Sequence, residues 1–194
     1  MNSYSLYTEK ANSVFGSLCF IEDHKLKMMN VNSVNIEGTQ HNLIVDFKIT
    51  QTFYNSTKKL QEISYIFPND LKFCIYDTTF VIGKEIIKPK LKPKEEAEST
   101  YKEAVNSGLT AVYATNIDRG MTEFKLGNVE PNQECKVILN LAFTAQVTTK
   151  NKFFIKFPLD IYDPSGSLGC LDVISSNFFF NIKCDKNYIS KITS

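Results

Sequence analysis

The chain has 194 residues, which is enough for one large domain or for one domain and part of another. Hydrophobic residues make up 43% of the sequence and charged residues 22%, so a packed core is expected and a disordered chain is not. The net charge is +1 and Arg119 is the only arginine, which argues against a surface for nucleic acid or for anionic membranes.

The N-terminal sequence MNSYSLYTEKANSVFG lacks the basic start and apolar core of a secretory signal. No apolar run approaches the ~20 residues that a transmembrane helix needs. The cysteines are widely spaced and odd in number, which favours free thiols over a disulfide framework; they are Cys19, Cys74, Cys135, Cys170 and Cys184. The sequence therefore predicts a cytoplasmic protein without membrane insertion.

Short apolar segments follow a polar N-terminal arm, residues 1–13. Residues 42–55 show the pattern best: Val45, Phe47 and Ile49 alternate with polar residues, as in a half-buried strand. Leu43 is expected on the same apolar face. The predicted strands are 15–21, 28–38, 42–55, 61–68, 74–82, 109–116, 121–131 and 134–149, with further strands in 151–164 and 177–192.

Two turns and one edge strand are predicted from glycine and proline. Residues 74–91 form a hairpin with Gly83 at its tip, and Pro89 restricts the returning strand to a short segment or to a sheet edge. Gly127–Asn128 and Pro131–Asn132 are expected to bracket a turn. Near the C-terminus, the FFF triplet at 178–180 must place at least one ring on each face of its strand.

One helix is predicted, at about residues 94–106. Pro93 suits a first helical turn, and Gly108 suits the left-handed residue that ends a helix. The apolar stripe that would pack on a sheet consists of Ala97, Tyr101, Ala104 and Val105. The sequence therefore predicts a mainly β fold, an antiparallel β-sandwich with one packed α-helix. Its core is expected to include Phe47, Phe124, Phe143 and Phe157.

One segment has the composition of a metal site. DPSGS, residues 163–167, matches the D-x-S-x-S pattern with which von Willebrand factor A domains hold a divalent ion through carboxylate and hydroxyl oxygens. That site also needs ligands from later loops, and only 27 residues follow Ser167. The same composition is common in turns, so the turn is favoured.

Other candidate chemistry is weak. His24 and His41 have no zinc-ligand spacing, and a nucleophilic pair such as Cys74 with His41 would have to be assembled in space. Glu95 and Glu96 are adjacent on the helix and do not face each other, which argues against acid–base pairing. Asn55-Ser56-Thr57 matches a glycosylation sequon but is better explained as a polar turn. No catalytic, cofactor-binding or metal-binding residue is predicted.

The order of elements closely resembles the vault protein inter-alpha-trypsin (VIT) domain from about Phe15 to Phe143, with weaker similarity beyond. The helix pattern E-A-x-x-x-Y-x-x-A-x-x-x-G and the later F-x-L-G-N-V-x-P carry much of the resemblance. The matching residues are Gly16, Val34, Tyr54, Asn55, Phe67, Pro68, Phe80, Gly83, Ala97, Tyr101, Ala104, Gly108, Phe124, Gly127, Asn128 and Pro131.

The resemblance implies a VIT β-sandwich at residues 14–146, followed by additional strands at 147–194 that lead to a downstream von Willebrand factor A domain. It implies no catalytic residues and no cofactor. The expected function is a non-catalytic protein–protein interaction or scaffolding module, with a protein partner, the downstream domain or a second copy bound. Two alternatives stay open: a structural spacer that orients the downstream domain, and an enzyme with a spatially assembled Cys or carboxylate site.

Overall fold

The computed structural model describes residues 15–22, 24–59, 61–68, 73–89, 94–117, 121–147, 153–154, 160–161, 171–172 and 177–184. The strands are β1 (Ser17–Glu22), β2 (Lys25–Met28), β3 (Val31–His41), β4 (Ile44–Tyr54), β5 (Gln61–Pro68), β6 (Cys74–Ile82), β7 (Glu85–Ile87), β8 (Ala111–Ile117), β9 (Met121–Val129), β10 (Glu134–Thr144), β11 (Gln146–Val147), β12 (Phe153–Phe154), β13 (Asp160–Ile161), β14 (Leu171–Asp172) and β15 (Asn177–Cys184). Helix α1 is Lys94–Asn106.

The strands form two main sheets, which confirms the predicted β-sandwich. The five-stranded sheet has the order β2-β1-β5-β9-β8, and the six-stranded sheet has the order β15-β3-β4-β10-β6-β7. All pairs in these sheets are antiparallel except β15 with β3, which run parallel. The pairs β11–β12 and β13–β14 form separate two-stranded ribbons.

The core lies between the two sheets and follows the predicted alternation. Val45, Phe47 and Ile49 of β4 are buried, and Phe124 of β9 faces them from the other sheet. Each such side chain contributes roughly 1.5–3 kcal/mol by leaving water. Phe143 is partly buried against this core. The prediction for Phe157 lies outside the described residues.

Helix α1 packs on the outer face of the five-stranded sheet, as predicted. Its Tyr101 is 8% exposed, packs against Tyr113 of β8 with the ring centroids 5.9 Å apart, and donates a hydrogen bond to Glu62 Oε2 at 2.8 Å. The helix ends at Asn106, and Gly108 follows it with a φ of +76°. The amide of Gly108 donates to Val105 and the next amide donates to Ala104, which satisfies the last carbonyls of the helix.

The turn expected between Gly127–Asn128 and Pro131–Asn132 does not begin at Gly127–Asn128. Both residues belong to β9, where they form a β-bulge: Val129 pairs with Gln61 and Leu126 pairs with Ile63. The bulge is held by contacts with α1: Asn128 adopts a φ of +57°, and its side chain donates to the carbonyls of Val105 and Leu109 at the end of the helix. The turn itself lies at 131–132.

Three further comparisons with the predicted strands follow from the structure: one strand was missed, one residue lies elsewhere and one edge strand is confirmed. Strand β2, with the sequence KLKM, is not predicted, because its two lysines hide its short apolar alternation. Leu43 is 42% exposed, because it lies in the β3–β4 turn rather than on the core face of β4. The strand returning from Gly83 is confirmed as short and as an edge: β7 has 3 residues and ends before Pro89.

Among the described helical residues, none forms a segment long and apolar enough to cross a bilayer.

Candidate functional site

The outer faces of the two sheets differ. Helix α1 packs on part of the outer face of the five-stranded sheet: Val105 and Tyr101 lie directly over Gly127 of β9. The outer face of the six-stranded sheet instead exposes polar side chains, such as Glu37 of β3 and Lys48 of β4. We call this second surface the groove face, because a polar groove crosses it.

The groove has a volume of about 290 Å³ and crosses five neighbouring strands, from β15 to β6. Gly38 and Phe47 lie at the floor of the groove, and the Phe47 ring is buried in the core beneath it. The side chains of the residues before and after each of them point outward and form the walls. Its lining residues are Glu37, Gly38, Thr39, Asp46, Phe47, Lys48, Tyr76, Asn140, Asn181 and Lys183. The groove therefore presents two carboxylates, two ammonium groups and two amides around an open, water-accessible surface.

A β-bulge places Tyr76 at one end of this groove. In the β6–β10 register, Asp77 pairs with Asn140 and Ile75 pairs with Leu141, so Tyr76 is an extra residue without a partner on β10. Because of this insertion, Tyr76 and Asp77 both lie on the groove face, where strict alternation would allow only one. The Tyr76 side chain is 60% exposed.

Charged and polar neighbours surround Tyr76. Asp77 Oδ2 accepts hydrogen bonds from Asn140 Nδ2 at 3.1 Å and from Lys88 Nζ at 3.4 Å. The pKa of the Tyr76 hydroxyl is raised by partial desolvation and by the carboxylates of Asp46 and Asp77. Tyr76 therefore stays neutral at physiological pH and offers both a ring surface and a hydroxyl donor.

The opposite end of the groove is the edge strand β15, which carries the FFF triplet. Phe178 and Phe180 face inward, stacked at 6.4 Å between centroids, and Phe180 packs on Phe47 at 5.9 Å. Phe179 points to the groove face and is 56% exposed. The prediction of rings on both faces is confirmed. Beside Phe179, Asn35 has a buried Oδ1 atom without a hydrogen-bond partner in the described part of the chain.

The structure does not bring the candidate nucleophilic pair together. His41 ends β3 and Cys74 begins β6, and the strand order places β4 and β10 between them. Three steps between strands of about 4.8 Å each separate the two residues by roughly 14 Å. His24 is exposed in the β1–β2 turn. Cys135 is buried, and burial raises the pKa of its thiol to about 12, which makes it a poor nucleophile.

The remaining candidates fall on the surface or outside the described residues. The DPSGS segment at 163–167 lies outside them. Within the described ranges, no cluster of three His, Cys, Asp or Glu side chains could hold a metal ion. Glu95 and Glu96 are exposed in the first turn of α1.

Asn55 of the sequon is fully buried and has a structural role. Its Nδ2 donates to the carbonyls of Val129 and Glu130, and its Oδ1 accepts from the amide and hydroxyl of Thr57. A glycan cannot be attached to this side chain in the folded state, so the interpretation as a polar turn is supported by these contacts.

Sequence reasoning missed the groove. Its residues come from β3, β4, β6, β10 and β15, which are distant along the chain and adjacent only in the sheet. One local signal is the pair Tyr76–Asp77, which interrupts the apolar alternation of β6. The FFF triplet was the other recognisable signal.

One family model matches more than half of the chain. The model of the Vault protein inter-alpha-trypsin domain matches residues 31–141. Protein mono-ADP-ribosyltransferase PARP4 of Mus musculus is 27% identical over 138 residues, which are 71% of this chain and 7% of that protein. The Homo sapiens PARP4 is 26% identical over 129 residues, 66% of this chain and 7% of that protein.

A von Willebrand factor A domain-containing protein of Dictyostelium discoideum is 31% identical over 88 residues, which are 45% of this chain and 10% of that protein. A second Dictyostelium discoideum protein of this description is 26% identical over 100 residues, 52% of this chain and 10% of that protein. The matches thus span only 7% to 10% of the length of these relatives.

Proposed function

Because the chain belongs to the Vault protein inter-alpha-trypsin domain family, we propose that it is a non-catalytic module that binds another protein through its groove face. The observation that carries the proposal is the difference between the two outer faces. Helix α1 packs on the outer face of one sheet, whereas the outer face of the other sheet displays Tyr76, Phe179 and a polar groove between them.

The chemistry of the groove face suits a protein partner. Exposed aromatic rings supply contact area with little loss of side-chain freedom, and tyrosine is enriched in the energetically important centres of interfaces. Around the rings, Glu37 and Asp46 can accept hydrogen bonds, whereas Lys48 and Lys183 can donate them. A partner surface with interspersed charges of both signs would match this lining better than a uniformly charged one.

Two alternatives make different predictions. A spacer that orients a downstream von Willebrand factor A domain is supported by the domain content in the names of the Dictyostelium discoideum relatives. In that case the groove face would contact the same polypeptide and no separate protein. An enzyme is less well supported, because the separated Cys74 and His41 and the buried Cys135 thiol offer no activated nucleophile.

The cellular location belongs to the same proposal. Cys74 and Cys135 are free thiols, which supports a reducing compartment such as the cytoplasm. The burial of Asn55, the sequon residue, is compatible with a location where no glycan is added.

The experiment is a quantitative affinity capture of the whole native protein from its own cells, with mass spectrometry of what is bound. The wild type is compared with Tyr76→Ala and with Lys48→Glu, both on the groove face. The matched control is Lys25→Glu, which reverses an exposed charge on β2 of the other sheet. Loss of a specific protein from both groove-face variants but not from the control would support the proposal. Equal capture by all variants would reject it.

A further inference from the structure

Strand β15 contains a short palindrome. Asn177, Phe178, Phe179, Phe180 and Asn181 read the same in both directions, and Phe179 is at the centre. The strand lies at the edge of the six-stranded sheet, where β3 pairs with one side of it and no described strand pairs with the other. A palindromic edge strand can pair antiparallel with a second copy of itself about a two-fold axis.

We propose that two copies of this protein associate through β15, paired antiparallel and centred on Phe179, so that their six-stranded sheets join into one continuous sheet. In this register Phe179 faces the partner's Phe179. Phe178 faces the partner's Phe180, and Asn177 faces the partner's Asn181. Every cross-strand pair within the palindrome therefore joins side chains of the same type, ring to ring or amide to amide.

The aromatic side chains of β15 keep exposed ring surface. Phe180 faces inward and packs on Phe47, and 41% of its side chain is exposed. Phe178 and Phe180 are stacked 6.4 Å apart along the same inner face. The second copy would place its own Phe180 and Phe178 beside them and cover the exposed part of the Phe180 ring. On the other face, the two Phe179 rings would cover each other.

The charges of β15 also permit self-pairing. The palindrome carries no ionisable side chain, so its two-fold pairing opposes no like charges. Lys183 lies four residues from the centre, so the two lysines point to opposite ends of the paired strands. This arrangement separates them by roughly 26 Å at about 3.3 Å per residue, well beyond the Debye length at physiological salt.

Two of the other sheet edges carry features that oppose strand pairing. Strand β2 has Lys25 and Lys27 within its 4 residues, and β7 is 3 residues long and precedes Lys88 and Pro89. Lysine, proline and short length are the usual protections of an edge strand. By contrast, β15 has 8 residues and no such protection within its palindrome.

The first test measures the mass of the purified whole chain by sedimentation over a concentration series. The wild type is expected to shift from 22.1 kDa to twice that mass as concentration rises. Phe179→Lys places two ammonium groups opposite each other and should weaken association by at least about tenfold. The matched control is Ile86→Lys on β7, the opposite edge of the same sheet, where the native side chain is 69% exposed. It should associate like the wild type.

The second test checks the register by cysteine cross-linking under mild oxidation, with the linked peptides identified by mass spectrometry. Directly opposed residues have Cβ atoms about 4.5–5.5 Å apart, close to the span of a disulfide. Phe179→Cys should link to itself. Asn181→Cys should not link to itself, but it should link to Asn177→Cys when the two variants are mixed.

Several outcomes would overturn the self-pairing: a monomer at every concentration, a dimer that Phe179→Lys does not weaken, assemblies larger than two copies, or self-linking of Asn181→Cys in place of Phe179→Cys. The inference rests on the proposed role of this sheet in protein interaction, but its test needs no other protein. A monomeric chain that still captures a partner through Tyr76 and Lys48 would reject the dimer and keep the proposed function. A dimeric chain that captures no other protein would keep the dimer and reject the proposed function.

Discussion

The hydroxyl of Tyr65 donates a hydrogen bond to Gln51 Oε1 at 2.6 Å, and this bond joins the two sheets inside the core. Both residues are 0% exposed. The backbone of Gly16 completes the network: its amide donates to the Tyr65 hydroxyl at 3.1 Å, and its carbonyl accepts from Gln51 Nε2 at 3.0 Å. A buried polar network of this kind stabilises the fold only while every member keeps its partner.

The first prediction is that Tyr65→Phe destabilises the protein by about 1–3 kcal/mol, because the Gly16 amide and Gln51 Oε1 lose their partner where water cannot replace it. Urea denaturation with constant m-value measures the change. Tyr54→Phe is the control, since Tyr54 is exposed and its hydroxyl lies 3.4 Å from Asn132 Oδ1. Equal stability of Tyr65→Phe and the wild type would show that the network contributes nothing.

The second prediction concerns alkaline pH. Burial raises the pKa of Tyr65, and burial together with the Glu62 carboxylate raises the pKa of Tyr101. In the unfolded chain both hydroxyls lose their protons near pH 10, whereas in the folded chain they keep them. Above about pH 10 the unfolded state therefore binds fewer protons, so the free energy of unfolding falls as pH rises.

The expected slope is at most about 1.4 kcal/mol per pH unit for each of the two tyrosines. Urea denaturation from about pH 9 to pH 11 measures it. Tyr65→Phe removes one of the two groups, so its stability should decline less steeply than that of the wild type. If the free energy of unfolding fell with the same slope in both proteins, Tyr65 would not be one of the groups that cause the fall.

The third prediction tests how closely α1 packs on β9. A Cβ atom added at Gly127 would overlap Val105 Cγ2 and lie 3.2 Å from Tyr101 Oη. Gly127→Ala should therefore cost about 1–3 kcal/mol through overpacking. Val105→Ala removes the obstructing methyl, so the double variant should recover at least about 1 kcal/mol relative to additivity.

Gly108→Ala is the contrasting glycine variant, because space around Gly108 is open and only its φ of +76° opposes a side chain. Its cost should be about 1–2 kcal/mol, and Val105→Ala should not reduce it. Thermal and urea denaturation of the single and double variants measure these changes in the free energy of unfolding. Additive effects of Gly127→Ala and Val105→Ala would show that the helix is not in tight contact with the bulge.

The fourth prediction compares two positions on α1. Tyr101→Asp removes the ring that packs on Tyr113 and places a carboxylate beside Glu62, so a loss of more than about 3 kcal/mol is expected. Glu96→Gln changes an exposed residue and should stay within about 0.5 kcal/mol. Similar melting temperatures for the two variants would contradict the structural role of the helix stripe.

These positions show what the sequence could and could not predict. The helix follows from local signals, because Gly108 and the apolar spacing around Tyr101 act within a few residues. The alternation of Val45, Phe47 and Ile49 likewise reports one buried face. By contrast, the bulge at Tyr76 depends on the register with β10, and the bulge at Gly127–Asn128 depends on the end of α1.

The groove and the parallel pairing of β15 with β3 are even harder to predict from local sequence. A strand adds to whichever edge is free, and nothing within residues 177–184 identifies β3 as its neighbour. The groove is assembled only after that addition, since Asn181 and Lys183 form one end of it. The palindrome around Phe179 is visible in the sequence, but it gains meaning only once β15 is known to be an edge strand.

The fifth prediction concerns Asn55, which connects the end of β4 to the end of β9. Asn55→Asp keeps the shape of the side chain but replaces its two N–H donors with a charged oxygen. That oxygen would face the carbonyls of Val129 and Glu130, which now accept hydrogen bonds at 3.3 and 2.9 Å. Because Asn55 is 0% exposed, the charge would be buried without a donor on that side. We expect a loss of at least about 3 kcal/mol at neutral pH.

Part of that loss should be recovered as the pH falls below the pKa of the new carboxyl group, since a protonated carboxyl can donate one of the two missing hydrogen bonds. Ser56→Ala is the matched control, because it alters an exposed neighbour in the same sequon and should change stability by less than about 0.5 kcal/mol. Urea denaturation of the three proteins at neutral and mildly acidic pH measures both effects. If Asn55→Asp were as stable as Ser56→Ala at neutral pH, the contacts with Val129 and Glu130 would not be what closes this end of the sandwich.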